Sequence, residues 1–159
     1  MRSSMSALWL VAALTTTAVA ADKPNFSGNW TLNLAKSNFG PLPMPTSSTL
    51  TITHAEPSVT MVADVKGGFG GDEHSEHIYA TDGTPLSFES QGAAIKSALS
   101  WDGNALVFHN DIVTPEGFTL SSKATTTLVE GGKTIRQVIH VDAPEPVGAI
   151  DMLYVFDRK

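Results

Sequence analysis

The chain has 159 residues, 42% of them apolar and only 16% charged, with 13 Gly, 9 Pro and no Cys. That length suits one domain, and the apolar share is that of a packed globular protein rather than a disordered one. The formal charge of −6 supplies no basic stripe for nucleic acid, and a chain without cysteine has no disulfide, thiolate nucleophile, iron–sulfur cluster or Cys-based zinc site.

Residues 1–20 hold one positive charge, Arg2, then the apolar run Ala7-Leu8-Trp9-Leu10-Val11-Ala12-Ala13-Leu14. Thr15 to Thr17 follow, and then the small-residue pattern Ala18-Val19-Ala20. This is the three-part order of a secretory signal peptide, with cleavage after Ala20. The apolar run is too short to cross about 30 Å of hydrocarbon at about 1.5 Å per residue, so a membrane anchor is not expected. Without Arg2 the balance is 9 basic to 16 acidic residues, a formal −7. The expected product is an exported, soluble, acidic domain over 21–159, secreted or periplasmic.

The remainder reads as β. Trp30, Leu32 and Leu34 alternate with Thr31 and Asn33, the period of two that marks a half-buried strand. Leu50 and Ile52 alternate with threonines, and Val59, Met61, Ala63 and Val65 form a third segment. Ile95, Leu99 and Trp101 alternate with Lys96, Ala98 and Ser100. Further strands are predicted over 106–112, 118–129, 134–141 and 150–157, rich in branched side chains that pack well on a pleated surface. Asp82-Gly83 and Asp102-Gly103 supply the positive φ of tight hairpin turns, and Pro115-Glu116-Gly117 and Glu130-Gly131-Gly132 are two more turns. The best helical stretch, 34–39, is short and runs into Gly40-Pro41-Leu42-Pro43-Met44-Pro45, an extended connector.

Eight to ten short strands joined by hairpins point to a sandwich or a barrel. Sequential hairpins favour an antiparallel up-and-down β-barrel, and a closed barrel would leave no exposed edge. An all-β fold of this kind without disulfides depends on closure and core packing for its stability.

The motif Phe26-Ser27-Gly28-Asn29-Trp30 resembles the opening strand of the calycin superfamily, whose members begin Gly-x-Trp. It is most similar to the intracellular lipid-binding proteins, the fatty-acid and retinoid carriers. Later segments follow in the same order: Thr81-Asp82-Gly83-Thr84-Pro85, Lys96-Ser97-Ala98-Leu99-Ser100-Trp101, Asn104-Ala105-Leu106-Val107, Glu116-Gly117, the strand 125–129 with its Gly131-Gly132 turn, and the final Met152-Leu153-Tyr154-Val155-Phe156. The resemblance implies a lipocalin-like or fatty-acid-binding-protein-like barrel with an interior ligand site. It also implies that Arg158 lies across the ring of Trp30, which then plugs the barrel base.

Two departures bear on function. The carriers have a two-helix lid between their first two strands, whereas residues 38–48 here hold the proline connector, so the lid is expected to be reduced or absent. The carriers also grip a ligand carboxylate with an Arg two residues before the terminal Tyr and with a second Arg on an earlier strand. Met152 and Thr126 stand at the matching positions, and Tyr154 alone remains. A buried carboxylate would have no cationic partner. The resemblance and the strand positions together nominate Trp30, Met61, Phe88, Trp101, Phe108, Met152, Tyr154 and Phe156 as ligand-contacting residues, with the Tyr154 hydroxyl offered to a polar head group.

The stretch Gly67-Gly68-Phe69-Gly70-Gly71-Asp72-Glu73-His74-Ser75-Glu76-His77 is open to two readings. It is either a solvated loop entering an edge strand or, from a turn, a small set of metal ligands. His54, His109 and His140 are scattered and expected to be half-exposed. No nucleophile elbow, phosphate loop or His-Glu-x-x-His is present, so neither an enzyme nor a cofactor is expected. Two functions remain: an exported barrel binding a small hydrophobic ligand, or a barrel filled by its own side chains that acts as a protein-interaction module in the cell envelope.

Overall fold

Ten strands make up the computed structural model, which describes residues 22–159, and apolar side chains alternate with polar ones along most of them. The expected leader, 1–20, lies outside the described residues. The strands are β1 (Gly28–Leu32), β2 (Pro45–Ala55), β3 (Ser58–Gly67), β4 (Glu73–Ala80), β5 (Asp82–Ser90), β6 (Ala93–Asp102), β7 (Ala105–Val113), β8 (Thr119–Val129), β9 (Thr134–Asp142) and β10 (Ala149–Arg158). They form one antiparallel sheet in the order β4-β3-β2-β1-β10-β9-β8-β7-β6-β5, curled into a nearly closed barrel. The first and last strands pair in its middle, with Trp30 opposite Arg158 and Leu32 opposite Phe156.

Closure is incomplete, which corrects the expectation of a barrel without edges. β4 and β5 are the two ends of the sheet and do not pair with each other. Asp82-Gly83 is therefore a corner and not a hairpin turn, although Gly83 has the positive φ expected of it. Side chains cross the seam in place of backbone bonds: Ser90 and Gln91 donate to the Glu73 carboxylate, and the His77 and Phe88 rings stack with centroids 3.9 Å apart.

β1 also ends earlier than its alternation suggests. The Asn33 side chain accepts from the Lys36 N–H at 3.1 Å, and this local turn diverts Leu34 from the strand. Residues 33–44 contain no α-helix. They are tied to β10 by the Asn38–Leu153 bridge, by the Asn33 N–H donating to the Val155 carbonyl at 2.7 Å, by the Val155 N–H donating to Ser37 Oγ at 3.0 Å, and by the Phe39 ring, 4.9 Å from that of Tyr154.

The up-and-down order sends alternate connections to opposite ends. One end carries Glu56-Pro57, Thr81, Gly103-Asn104 and the short 3₁₀ turn Glu130–Gly132. The other carries the connector 33–44, the glycine loop 68–72, the turn Gln91-Gly92 and the loops 114–118 and 143–148. The tight core sits at the first end, where Phe26, Trp30, Val59, Leu99, Leu106 and Ile135 are almost wholly buried.

Candidate functional site

The closed end is sealed by the segment before β1. Phe26 enters the barrel, and its N–H donates to His54 Nδ1 at 3.2 Å. Trp30 Nε1–H donates to the Phe26 carbonyl at 3.1 Å. Arg158 lies over the Trp30 ring, Cζ 4.2 Å from its centroid, as the resemblance implied, a contact of about 0.5–2 kcal/mol. Its guanidinium also donates to the carbonyls of Ser27 at 2.8 Å and Gly132 at 3.0 Å. Beside this plug the Glu56 carboxylate accepts from Trp101 Nε1–H at 2.8 Å and Thr81 Oγ1–H at 2.5 Å, with His54 Nε2 at 2.8 Å. Burial alone would raise the Glu56 carboxyl; the hydrogen bonds from Thr81, His54 and Trp101 outweigh it and hold the group below its ordinary value.

Above the plug lies a chamber of about 490 Å³. Its walls are the inward positions of β2 to β10, among them Leu50, Ile52, Met61, Phe88, Phe108, Ile139, Met152 and Phe156. The interior is therefore not filled by its own side chains, contrary to the premise of the filled-barrel alternative. Polar side chains are set into the same wall. Asn110 Nδ2–H donates to Ser122 Oγ at 2.9 Å, and Gln137 Nε2–H donates to Thr126 Oγ1 at 3.0 Å. Tyr79 and Tyr154 complete the polar set, together with Ser48 and Ser97. Burial pushes the Tyr79 hydroxyl up to about 12, against a smaller opposing hydrogen bond with Ser97, and burial raises Tyr154 as well. No lining residue carries a charge.

A smaller space of about 210 Å³ shares Ser48, Val65, Tyr154 and Phe156 with the chamber and forms its mouth. The connector and the glycine loop face each other across it. Gly68 has φ +83°, and a Cβ there would lie 3.3 Å from Pro45 backbone. Glu73 is the one charged residue lining the mouth. The loops around this end expose apolar side chains, Met44, Phe69, Phe118 and Val147, with Phe69 at 78% exposure the most open.

Six of the eight nominated residues line the chamber: Met61, Phe88, Phe108, Met152, Tyr154 and Phe156. Trp30 and Trp101 do not. Both point inward, but they lie at the closed end, where Phe26 and His54 fill the space above them and Trp101 is occupied with Glu56. His54 is buried, not half-exposed, because its strand position carries it under Phe26. The reading missed Tyr79 and the polar wall of Ser97, Asn110, Ser122, Thr126 and Gln137. The signal was available for the polar wall, since each of its residues shares strand parity with an apolar wall residue, but not for Tyr79, whose strand is otherwise polar at its inward positions.

The histidine-rich stretch divides between loop and strand. Asp72 bonds the Gly67 N–H and Lys66, Glu73 bridges the seam, and His74 pairs with Asp64 at 2.7 Å on the outer face. Among the described residues no three His, Asp or Glu side chains are grouped to hold a metal ion. No helix among them is long and apolar enough to cross a membrane.

No protein-family model matches the chain, and no curated protein matches it in sequence. Solved structures match in fold. The zebrafish ileal bile acid-binding protein complexed with cholic acid is 13% identical with a TM-score of 0.58, covering 84% of this chain and 98% of that one. Lipid-binding protein 8 of Caenorhabditis elegans is 11% identical, also at 0.58, with coverage of 84% and 95%. Secretory abundant heat soluble protein 4 from Ramazzottius varieornatus is 12% identical, again at 0.58, with coverage of 88% and 99%. The chain shares the antiparallel β-barrel fold of these structures.

Proposed function

We propose that this protein is an exported, lipocalin-like carrier, secreted or periplasmic, which holds a small hydrophobic ligand inside its barrel. The observation that carries the proposal is the apolar chamber of about 490 Å³, closed at one end and continuous with a mouth at the other. That volume lies in the range of small-molecule sites, and its lining has their composition: mostly apolar with a few placed polar groups. Burial would drive binding, at roughly 25 cal/mol per Å² of apolar area before the costs of association. Two of the similar structures are named as binding proteins, for bile acid and for lipid, which supports a binding role over an enzymatic one. Export rests on the sequence pattern of 1–20. The interaction-module alternative is weaker, because it assumed a packed interior.

Native mass spectrometry of the protein purified from its own host tests the carrier reading, with a co-purified lipid expected. A clean apo mass together with no uptake of a neutral apolar dye would sink it. The same spectrum reports export, since a chain beginning at Ala21 shows that the leader has been removed.

A further inference from the structure

We infer that the chamber selects an uncharged lipid bearing a hydroxyl, ester or amide group and discriminates against a carboxylate of the same chain length. The inference rests on the carrier reading above and concerns the chemistry of the ligand. It comes from how the polar side chains are distributed, which strand register makes visible. Ser97, Asn110 and Ser122 are directly opposite one another on β6, β7 and β8 and form one polar row. Thr126, Gln137 and Tyr154 form a second row across β8, β9 and β10. Between them runs an apolar row, Phe108, Ala124, Ile139 and Met152. On β8 the two polar rows are four residues apart, about 13 Å of strand.

Every group in these rows is neutral. The Asn110–Ser122 and Gln137–Thr126 bonds use one end of each amide and leave the other to meet a ligand. Among the described residues the Tyr154 hydroxyl has only the Met152 sulfur as a hydrogen-bond partner, at 3.8 Å, and that sulfur is a weak acceptor. A ligand hydroxyl or carbonyl entering here finds partners, whereas a plain hydrocarbon leaves these buried groups unpaired. A carboxylate finds no cation in the wall and would have to shed its water against neutral dipoles alone. Burial holds the hydroxyls of Tyr79 and Tyr154 above their ordinary value, in line with the same resistance of this interior to negative charge. At the mouth Glu73 adds repulsion toward an anion.

The test is displacement of bound Nile red, a neutral dye, by three twelve-carbon competitors at about pH 8, where a carboxylic acid is ionised. Dodecan-1-ol and methyl dodecanoate are expected to displace the dye at concentrations about tenfold or more below that of dodecanoate. Dodecanoate competing as well as the alcohol overturns the selectivity and leaves the carrier reading standing. Failure to take up the dye at all overturns both. Met152→Arg, which places a cation in the apolar row beside Tyr154, is expected to improve dodecanoate about tenfold relative to the alcohol. An unchanged ranking in a variant whose far-ultraviolet circular dichroism is native-like counts against the inference. If that variant fails to fold, the ranking in the unmodified protein decides alone.

Discussion

At the closed end of the barrel a short segment around Phe26 is drawn inside, packed against His54 and Trp101 and locked by Trp30, Arg158 and Glu56. At the open end the corresponding space is open, its loops are rich in glycine and proline, and several large apolar side chains, Phe69 above all, are exposed. The same antiparallel sheet serves both ends. One end spends its aromatic groups on burial and satisfied hydrogen bonds. The other leaves open space above the core. Stability and access are thus separated along one axis, and the separation can be attacked by substitution at either end.

The largest effect is expected from Trp30→Ala. Trp30 is fully buried, bonded to the Phe26 carbonyl and covered by Arg158, so its removal should cost about 3–5 kcal/mol in urea unfolding. A loss below about 1 kcal/mol, the scale of an ordinary surface change, would mean the plug is not the stabilising element. Next comes Gly28→Ala. Gly28 sits at φ +149°, and a Cβ there would run into the Arg158 guanidinium. Strain and the displaced cation together should cost about 1–3 kcal/mol, read by the same method.

Acid should weaken the closed end. Glu56 has a carboxyl held below its ordinary value of 4.5, so its contribution is present above that value and is lost as pH falls through the depressed folded value. Glu56→Gln should therefore be less stable near neutrality and show a shallower fall in stability below about pH 4.5. Parallel profiles for the two proteins would show that Glu56 is not the acid-sensitive group. The smallest effect belongs to the open end: Phe69→Ser should leave unfolding within about 0.5 kcal/mol of the original. A larger loss would show that the loop is packed and the contrast between the ends is overstated.

Much of the fold was legible in the chain. Alternation located β2, β3 and β6, richness in branched side chains located β7 to β10, and Gly131-Gly132 and Pro115-Glu116-Gly117 marked real turns. Phe26-Ser27-Gly28-Asn29-Trp30 pointed to the observed barrel fold, and Arg158 lies where that resemblance put it. β4 was obscured because its outward residues, His74 and Glu76, are charged or ionisable and its inward ones, Glu73 and Ser75, are polar too, so no alternation shows. The seam was invisible because an Asp-Gly pair has the same local chemistry at an unpaired corner as in a hairpin.

The candidate site was legible by half. Strand parity sent Met61, Phe88, Phe108, Met152, Tyr154 and Phe156 to the interior, and it sent Trp30 and Trp101 there as well. Preference for large apolar residues then hid Asn110, Gln137 and their partners, although parity included them.

The sequence by itself determined which side chains face inward, since a period of two is a local property of an extended backbone. Only the tertiary structure decided how far along the barrel axis each of them sits, whether it meets a plug or a cavity, and which neighbours stand opposite. Those depend on cross-strand register, which joins residues such as Trp30 and Arg158 or Ser97 and Asn110 from distant parts of the chain. That is why the chamber, the banding of its wall and the open seam appear only once the strands are paired.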